Sequence, residues 1–168
     1  MRCLTLCIAL IVLPCVFGED KPETKGVKIT SKDGKASAVF PAPPTKVQRD
    51  IAVAYNLRNK EKNTSFLLVE GDMVNEVDLT DKAAVEKRFE EGRNATLRAI
   101  KGKLVSEKHI KFGKLPGYTF DAELPGGIFR SRTYMKQKIC IGVVVGGSKE
   151  FVDGPEAKKF LDSLKIEE

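Results

Sequence analysis

The chain has 168 residues, with 29 Lys and Arg against 23 Asp and Glu, which gives a formal net charge of +6. Its basic residues are scattered and are not interleaved with aromatic residues, whereas nucleic-acid binding calls for a concentrated basic face with stacking side chains. The composition therefore argues against nucleic-acid binding. Mild basicity indicates solubility, or attraction to acidic surfaces such as cell-wall polymers and lipids.

The first eighteen residues, MRCLTLCIALIVLPCVFG, predict a secretory signal peptide. Arg2 is the only charge in this segment, residues 3–16 are apolar, and a polar, charged chain begins at Glu19. This pattern is typical of export, and the small residue Gly18 predicts cleavage directly after it. The apolar run is shorter than the ~20 residues that normally span a bilayer. We therefore expect a secreted or periplasmic protein with no stable membrane span after cleavage.

Two alternatives to cleavage stay open: a retained N-terminal anchor, and lipidation of Cys15 as in bacterial lipoproteins. Pro14 argues against lipidation, because a small residue would be expected directly before the lipidated cysteine. After cleavage Cys140 would be the remaining cysteine, so an internal disulfide is not expected. Its surroundings, KICIGVVV, predict a small buried hydrophobic residue.

Residues 19–26 are charged and predict a flexible leader, and 27–168 predict a single α+β domain. Alternating apolar residues predict strands at 27–30, 36–40, 46–57 and 65–71, with turns at 32–34 and 59–64.

A long helix is predicted over 81–100, where apolar or small residues recur at helical spacing. Thr80 is the expected N-cap, and Gly102 lies just beyond the expected end. The stripe consists of Val85, Phe89, Gly92, Thr96 and Ile100.

Four strands are predicted between this helix and a second one, at 103–112, 117–124, 129–135 and 139–146. The second helix begins in VDGPEAKKFLDSLK, where Asp153 and Glu156 have the spacing of a capping box and Pro155 suits the first turn. Its expected apolar face consists of Ala157, Phe160, Leu161 and Leu164.

The stretch 115–147 predicts a three-stranded meander with one apolar and one charged face. Its first hairpin, with a four-residue loop at 125–128, places Arg130 opposite Glu123 and Arg132 opposite Asp121. Its second hairpin, with a turn at 136–138, aligns Met135 with Ile139. Register matters here because a slip by one residue exchanges the two faces.

Arg130 and Arg132 therefore have two interpretations. They form cross-strand ion pairs that select the register, which the pattern favours. Alternatively, together with Tyr134, they bind a carboxylate, a phosphate or a sulfated sugar.

Other chemistry is sparse. His109 is the only histidine, so neither a multi-histidine nor a cysteine–histidine zinc site is predicted. It alternates with charged residues and is expected at the surface. Glu70 and Asp72 are close in sequence, but nothing identifies them as an acid/base pair. No catalytic residue, cofactor or metal ligand is predicted.

The C-terminal two-thirds resembles a group of exported bacterial proteins common in planctomycetes. The resemblance lies in GKLVSE at 102–107, PGY at 116–118, RSRTY at 130–134 and FLDSLK at 160–165. The group is similar in layout to the PsbP-like sandwich, shared by a photosystem II extrinsic subunit and a Ran-binding nuclear transport factor.

This resemblance implies an antiparallel sheet of about seven or eight strands, with one long central helix and a C-terminal helix packed on it. It also implies an accessory role, and it carries no catalytic residues over to this chain. We expect an exported, non-enzymatic binding or accessory protein whose partner is an envelope protein or an anionic polymer. The alternatives are a small anionic-ligand-binding domain that uses Arg130, Arg132 and Tyr134, and a carboxylate-dependent hydrolase.

Overall fold

A computed structural model describes residues 26–167 except 32, 34, 50 and 74. The predicted signal peptide with its cleavage site at Gly18, Cys15 and most of the leader lie outside the described residues, as do the outer residues of the turn at 32–34. The described strands are β1 (Val27–Thr30), β2 (Ala36–Phe40), β3 (Thr45–Arg49), β4 (Ala52–Asn59), β5 (Thr64–Asp72), β6 (Lys103–Phe112), β7 (Leu115–Leu124), β8 (Gly127–Lys136), β9 (Ile139–Gly147) and β10 (Lys165–Ile166). The described helices are α1 (Lys82–Ile100), α2 (Lys149–Val152) and α3 (Pro155–Asp162).

The strands of the described part form two antiparallel sheets. One has seven strands in the order β3-β4-β5-β9-β8-β7-β6, and the other has three in the order β1-β2-β10. The predicted α+β class with antiparallel pairing and few helices is confirmed, as is the β7-β8-β9 meander. The large sheet has the expected number of about seven or eight strands, but β1 and β2 pair with each other and with β10 in a second sheet that was not expected.

The central strands of the seven-stranded sheet, β5 and β9, are buried on both faces. One face packs against α1, in a cluster that includes Phe89, Phe120 and Phe129. The other face packs against the small sheet, α2 and α3, in a cluster that includes Phe40 and Phe160. Because the two clusters lie on opposite faces, the large sheet is the middle layer of the domain. Burial of one such aromatic side chain contributes about 1.5–3 kcal/mol to stability.

The single strand predicted at 46–57 is two strands. Arg49 pairs with Ala52, so the chain reverses direction over two residues between β3 and β4. Neither glycine nor proline marks this turn in the sequence. The hairpin places Val47 opposite Ala54, and both pack in the α1 cluster, which a single extended strand would not allow.

Helix α1 begins at Lys82, one residue later than predicted, and its N-cap is Asp81 instead of Thr80. The Asp81 side chain accepts hydrogen bonds from the backbone N–H groups of Ala83 and Ala84 at 3.0 and 3.1 Å. Thr80 is therefore not the cap. Its backbone N–H and its hydroxyl both donate to the Asp78 carboxylate, at 2.8 and 2.7 Å.

The C-terminal helical region is also divided, into α2 and α3. The predicted capping box is wrong, since the N-cap of α3 is Gly154 and makes no side-chain hydrogen bond. The carboxylate of Asp153 accepts instead from Arg130 at 2.9 Å and from Lys149 at 2.6 Å. The predicted apolar face is confirmed as buried, with Ala157, Phe160, Leu161 and Leu164 in the core.

The β7–β8 hairpin has a shorter loop than the sequence suggested. Leu124 pairs with Gly127, across a turn in which Gly126 has a left-handed φ of 94°. The loop has two residues instead of four, so each residue keeps its face but its opposite partner changes by two positions.

The β8–β9 turn has a larger consequence. Lys136 pairs with Ile139 across two residues, and Gln137 takes a left-handed φ of 51°. The predicted alignment of Met135 with Ile139 is wrong by one position. Because directly opposite residues project from the same face, this shift moves alternate residues of β9 to the face of Arg130 and Arg132. The predicted division into an apolar and a charged face is therefore wrong.

Candidate anion-binding groove

The surface that contains the two arginines is a groove of about 610 Å³ on β6, β7 and β8. It lies on the face of the sheet that also carries α2, which packs on β8 and β9, and α3, which packs on β9 and β2. The candidate residues Arg130, Arg132 and Tyr134 all line it, together with Ser106, Lys108, Ile110, Thr119 and Asp121.

Three polar side chains form a cross-strand row in this groove. Lys108 pairs directly with Thr119, and Thr119 pairs directly with Arg132. Directly opposite residues have Cβ atoms about 4.5–5.5 Å apart on one face. An ammonium group, a hydroxyl and a guanidinium therefore lie side by side across three strands.

These donors are largely unused. Within the described residues, the side chains of Lys108 and Thr119 make no hydrogen bond, and Arg132 makes one, from Nη1 to Asp162 at 2.8 Å. The remaining N–H groups of Arg132 donate to no acceptor in the described part of the chain, and its side chain is 28% exposed. The row can therefore donate to an added anion without giving up an internal contact.

Arg130 differs sharply from Arg132. It donates to both oxygens of Asp121, at 2.8 and 2.7 Å, to Asp153 at 2.9 Å, and to the Val152 carbonyl at 3.1 Å. The hydrogen bonds from Arg130 to Asp121 raise the pKa of this guanidinium further above its ordinary value. The partners predicted for the two arginines are wrong: Asp121 lies opposite Arg130, and Thr119 lies opposite Arg132. Arg130 thus ties β7 and β8 to the end of α2.

Tyr134 forms part of the groove wall rather than an accessible donor. The residue is only 6% exposed and belongs to the core under α2 and α3. Burial raises the pKa of its phenol, and its ring meets the Phe112 ring edge-on at 5.8 Å.

The charge of the groove is positive. Four basic and two acidic residues are among its described lining residues. Lys111 and Glu107 alternate with Lys108 along β6, so their side chains project from the other face. Both acids are already bound by arginines: Asp121 by Arg130, and Glu107 by Arg93. Lys108 makes no ion pair with any described acid, so it adds uncompensated charge to the groove.

Lys108 and Thr119 were missed in the sequence although a signal for them exists. Phe112 pairs with Leu115 across Gly113 and Lys114, a two-residue turn with a left-handed glycine. Counting back from that turn brings Lys108 opposite Thr119. Alternation predicts where β6 and β7 lie but not how they align, so the strand predictions alone do not reveal the row.

The other chemical candidates lie elsewhere. The imidazole of His109 is 63% exposed, as its pattern predicts. Cys140 is half-buried rather than fully buried. Glu70 is buried, and its Oε2 has no hydrogen-bond partner among the described residues. In the described ranges no three His, Cys, Asp or Glu side chains are grouped to hold a metal ion, and no described helix is long and apolar enough to cross a bilayer.

No protein-family profile matches the sequence, and no curated protein matches it. Among solved structures, the chain resembles the solution structure of cyanobacterial PsbP (CyanoP) from Synechocystis sp. PCC 6803. The TM-score is 0.60 at 12% identity, over 93% of this chain and 99% of that one. The fold is therefore PsbP-like. A crystal structure from Bacteroides thetaiotaomicron matches at a TM-score of 0.48 and 14% identity, over 86% of this chain and 50% of that one, which is too distant to bear on the fold.

Proposed function

We propose that this protein is an exported, non-enzymatic binding protein of the cell envelope that holds a segment of an anionic polymer in the β6–β8 groove. The observation that carries the proposal is the row of Lys108, Thr119 and Arg132, whose donors lie side by side and largely unused.

The chemistry of the row suits phosphate, sulfate or carboxylate groups. The planar fork of Arg132 donates two parallel hydrogen bonds to such groups, whereas Lys108 provides a compact, mobile charge. The groove is open and extends along three strands, which suits a polymer with repeated charges better than one enclosed small anion.

A carboxylate-dependent hydrolase has less support. General acid/base catalysis needs two carboxyl groups that are available to the substrate. Asp121 and Glu107, the carboxylates in the groove lining, are each occupied by an arginine.

Export and ancestry belong to the same proposal. The signal-like segment 1–18 supports secretion or a periplasmic location, and anchoring by that segment or by Cys15 is the alternative. The motifs 102–107 and 130–134 support kinship with the exported planctomycete-type group. In this proposal α1 is the single long central helix of that group.

The proposal is tested with the chain from residue 19 onward and three probes of matched length: dextran sulfate, polyphosphate and neutral dextran. Both polyanions are expected to bind and neutral dextran is not. Lys108→Glu reverses an exposed charge in the row, so it is expected to weaken polyanion binding by about tenfold or more. Isothermal titration at two salt concentrations measures the effect.

Lys87→Glu is the matched control, because Lys87 is an exposed lysine on α1 and the change in net charge is the same. It is expected to alter affinity by less than about twofold, since exposed charges beyond a Debye length of ~8–10 Å are screened. Equal losses in the two variants would show attraction to net charge alone and overturn the groove assignment. Absence of polyanion binding would overturn the proposal as a whole.

A further inference from the structure

A second concavity, of about 220 Å³, lies on the opposite face of the large sheet from the groove. It is bordered by the turn between β4 and β5 and by the turn between β7 and β8. Its floor is apolar and consists of Leu67, Leu124, Phe129 and Val144. It is separate from the row of Lys108, Thr119 and Arg132, so it is independent of the polymer-binding proposal.

A missing side chain creates this cleft. Ser65 pairs with Gly146, and Gly146 pairs with Phe129, so the three residues form one cross-strand row. Gly146 leaves the middle of that row empty. A Cβ atom at this position would lie 2.8 Å from the Ser65 hydroxyl oxygen. The glycine therefore opens a depression in a surface that a larger residue would fill.

The rim carries one charge, and that charge is positive. Arg58 continues the row beyond Ser65, is exposed, and makes no ion pair with any acid in the described ranges. The described lining contains no Asp or Glu. The amides of Asn56 and Asn63 complete the polar rim. An apolar floor with one cation and a few neutral polar groups is the usual composition of a small-molecule site.

We propose that this cleft binds a small amphipathic carboxylate, with its apolar body on the floor and its carboxylate at Arg58. The volume sets the size of the ligand. At the ~30 Å³ that one water occupies in the liquid, the cleft holds roughly seven water-sized groups. This matches a short fatty acid or a small aromatic acid, and excludes a long acyl chain.

Sodium hexanoate and neutral hexanamide are suitable probes, because they share the apolar body and differ in charge. We expect hexanoate to bind with a dissociation constant on the order of 0.1–1 mM and hexanamide to bind about tenfold more weakly. Titration of the isotopically labelled protein, followed by amide chemical shifts, measures both constants. The largest shifts are expected at Ser65, Gly127 and Gly146.

Two variants locate the contacts. Arg58→Gln is expected to weaken hexanoate binding by about tenfold and to leave hexanamide binding unchanged, since only the charge-assisted hydrogen bond is lost. Lys62→Gln, in the same turn region but outside the lining, is the matched control and is expected to change neither constant. Gly146→Ala combined with Ser65→Ala fills the floor without the close contact to the hydroxyl, and is expected to weaken both ligands.

Three results would overturn the proposal: equal binding of hexanoate and hexanamide, an unchanged hexanoate constant in Arg58→Gln, or hexanoate shifts confined to Lys108, Thr119 and Arg132. The last result would place the small anion in the polymer groove, and the polymer proposal would survive it.

Discussion

Arg130 and Arg132 show how two identical side chains on one strand acquire different roles. Arg130 donates to three different residues, Asp121, Asp153 and Val152, whereas within the described part of the chain Arg132 donates only to Asp162. A guanidinium has five N–H donors, so Arg130 is nearly saturated and Arg132 is not. The availability of donors, rather than the residue type, gives Arg130 a structural role and leaves Arg132 with free donors for the binding role proposed above.

The fold changes the pKa of the Tyr118 phenol substantially, and the new value can still be reached by titration. Its hydroxyl donates to Glu107 and accepts from Nη1 of Arg93 at 3.0 Å. Burial, followed by the hydrogen bond to Glu107, raises the pKa of Tyr118 to about 12. This contact joins α1 to β6 and β7, and it depends on a protonated phenol.

We therefore predict a loss of stability at alkaline pH. The pKa of Tyr118 in the folded state, about 12, lies above the ordinary value of 10.0. Its stabilising contribution is thus complete below about pH 10 and is lost as the pH rises through 12. In urea unfolding, the wild type should exceed Tyr118→Phe in unfolding free energy below pH 10, and the difference should shrink towards pH 12. A difference that does not change with pH would contradict the prediction.

At the scale of elements, turn length decides which face each strand presents. The β7–β8 loop is two residues shorter than expected, and no residue changes face. The β8–β9 turn is one residue shorter, and every residue of β9 changes face relative to β8. An error in loop length of an even number of residues keeps each side chain on its predicted face, whereas an error of an odd number moves it to the other face.

The start of α1 provides a test at this scale. Asp81→Ala should lower the free energy of unfolding by about 1 kcal/mol, because two backbone N–H groups lose their acceptor. Thr80→Ala, the cap suggested by the sequence, should cost less than half as much. Asp81→Asn should retain most of the stability, since an amide oxygen also caps. Urea unfolding measures all three, and a larger loss in Thr80→Ala than in Asp81→Ala would restore Thr80 as the cap.

At the scale of the whole molecule, one sheet supports two cores. Phe160 meets Phe40 at 4.9 Å and Phe66 at 5.2 Å between ring centroids, on the face under α3. On the face under α1, Phe89 stacks on Tyr118 at 5.6 Å. The strands between them are shared, so we expect the two cores to unfold together.

Phe160→Ala should therefore lower the global free energy of unfolding by about 3–5 kcal/mol. Native-state hydrogen exchange should detect the same loss at Phe89, although that residue lies on the opposite face. Val105→Ala is the control, because it removes two methyl groups from a residue that is 59% exposed. It should change the free energy of unfolding by less than about 0.5 kcal/mol. Unchanged protection at Phe89 in Phe160→Ala would show that the cores unfold independently.

Residue patterns alone were sufficient to locate most of the local elements. The alternation of apolar and polar residues predicted the bounds of β1, β2, β6 and β9 closely, because successive side chains of a strand point to opposite faces. Helical spacing identified the buried face of α3, with Ala157 and Phe160 at its centre. The same reasoning identified Arg130, Arg132 and Tyr134 as neighbours on one strand, and the structure brings them to one groove.

The faces that the strands present and the partners of the arginines depend on the three-dimensional fold. The β8–β9 turn depends on Gln137, a residue type that seldom takes a left-handed φ. The local sequence therefore does not predict a two-residue turn at this position. The acids that hold Arg130 and Arg132 from the helices, Asp153 and Asp162, lie 23 and 30 residues further along the chain. Local periodicity encodes which residues share a face within one strand. How strands pair, and which distant groups meet them, depends on turn geometry and on packing across the whole domain.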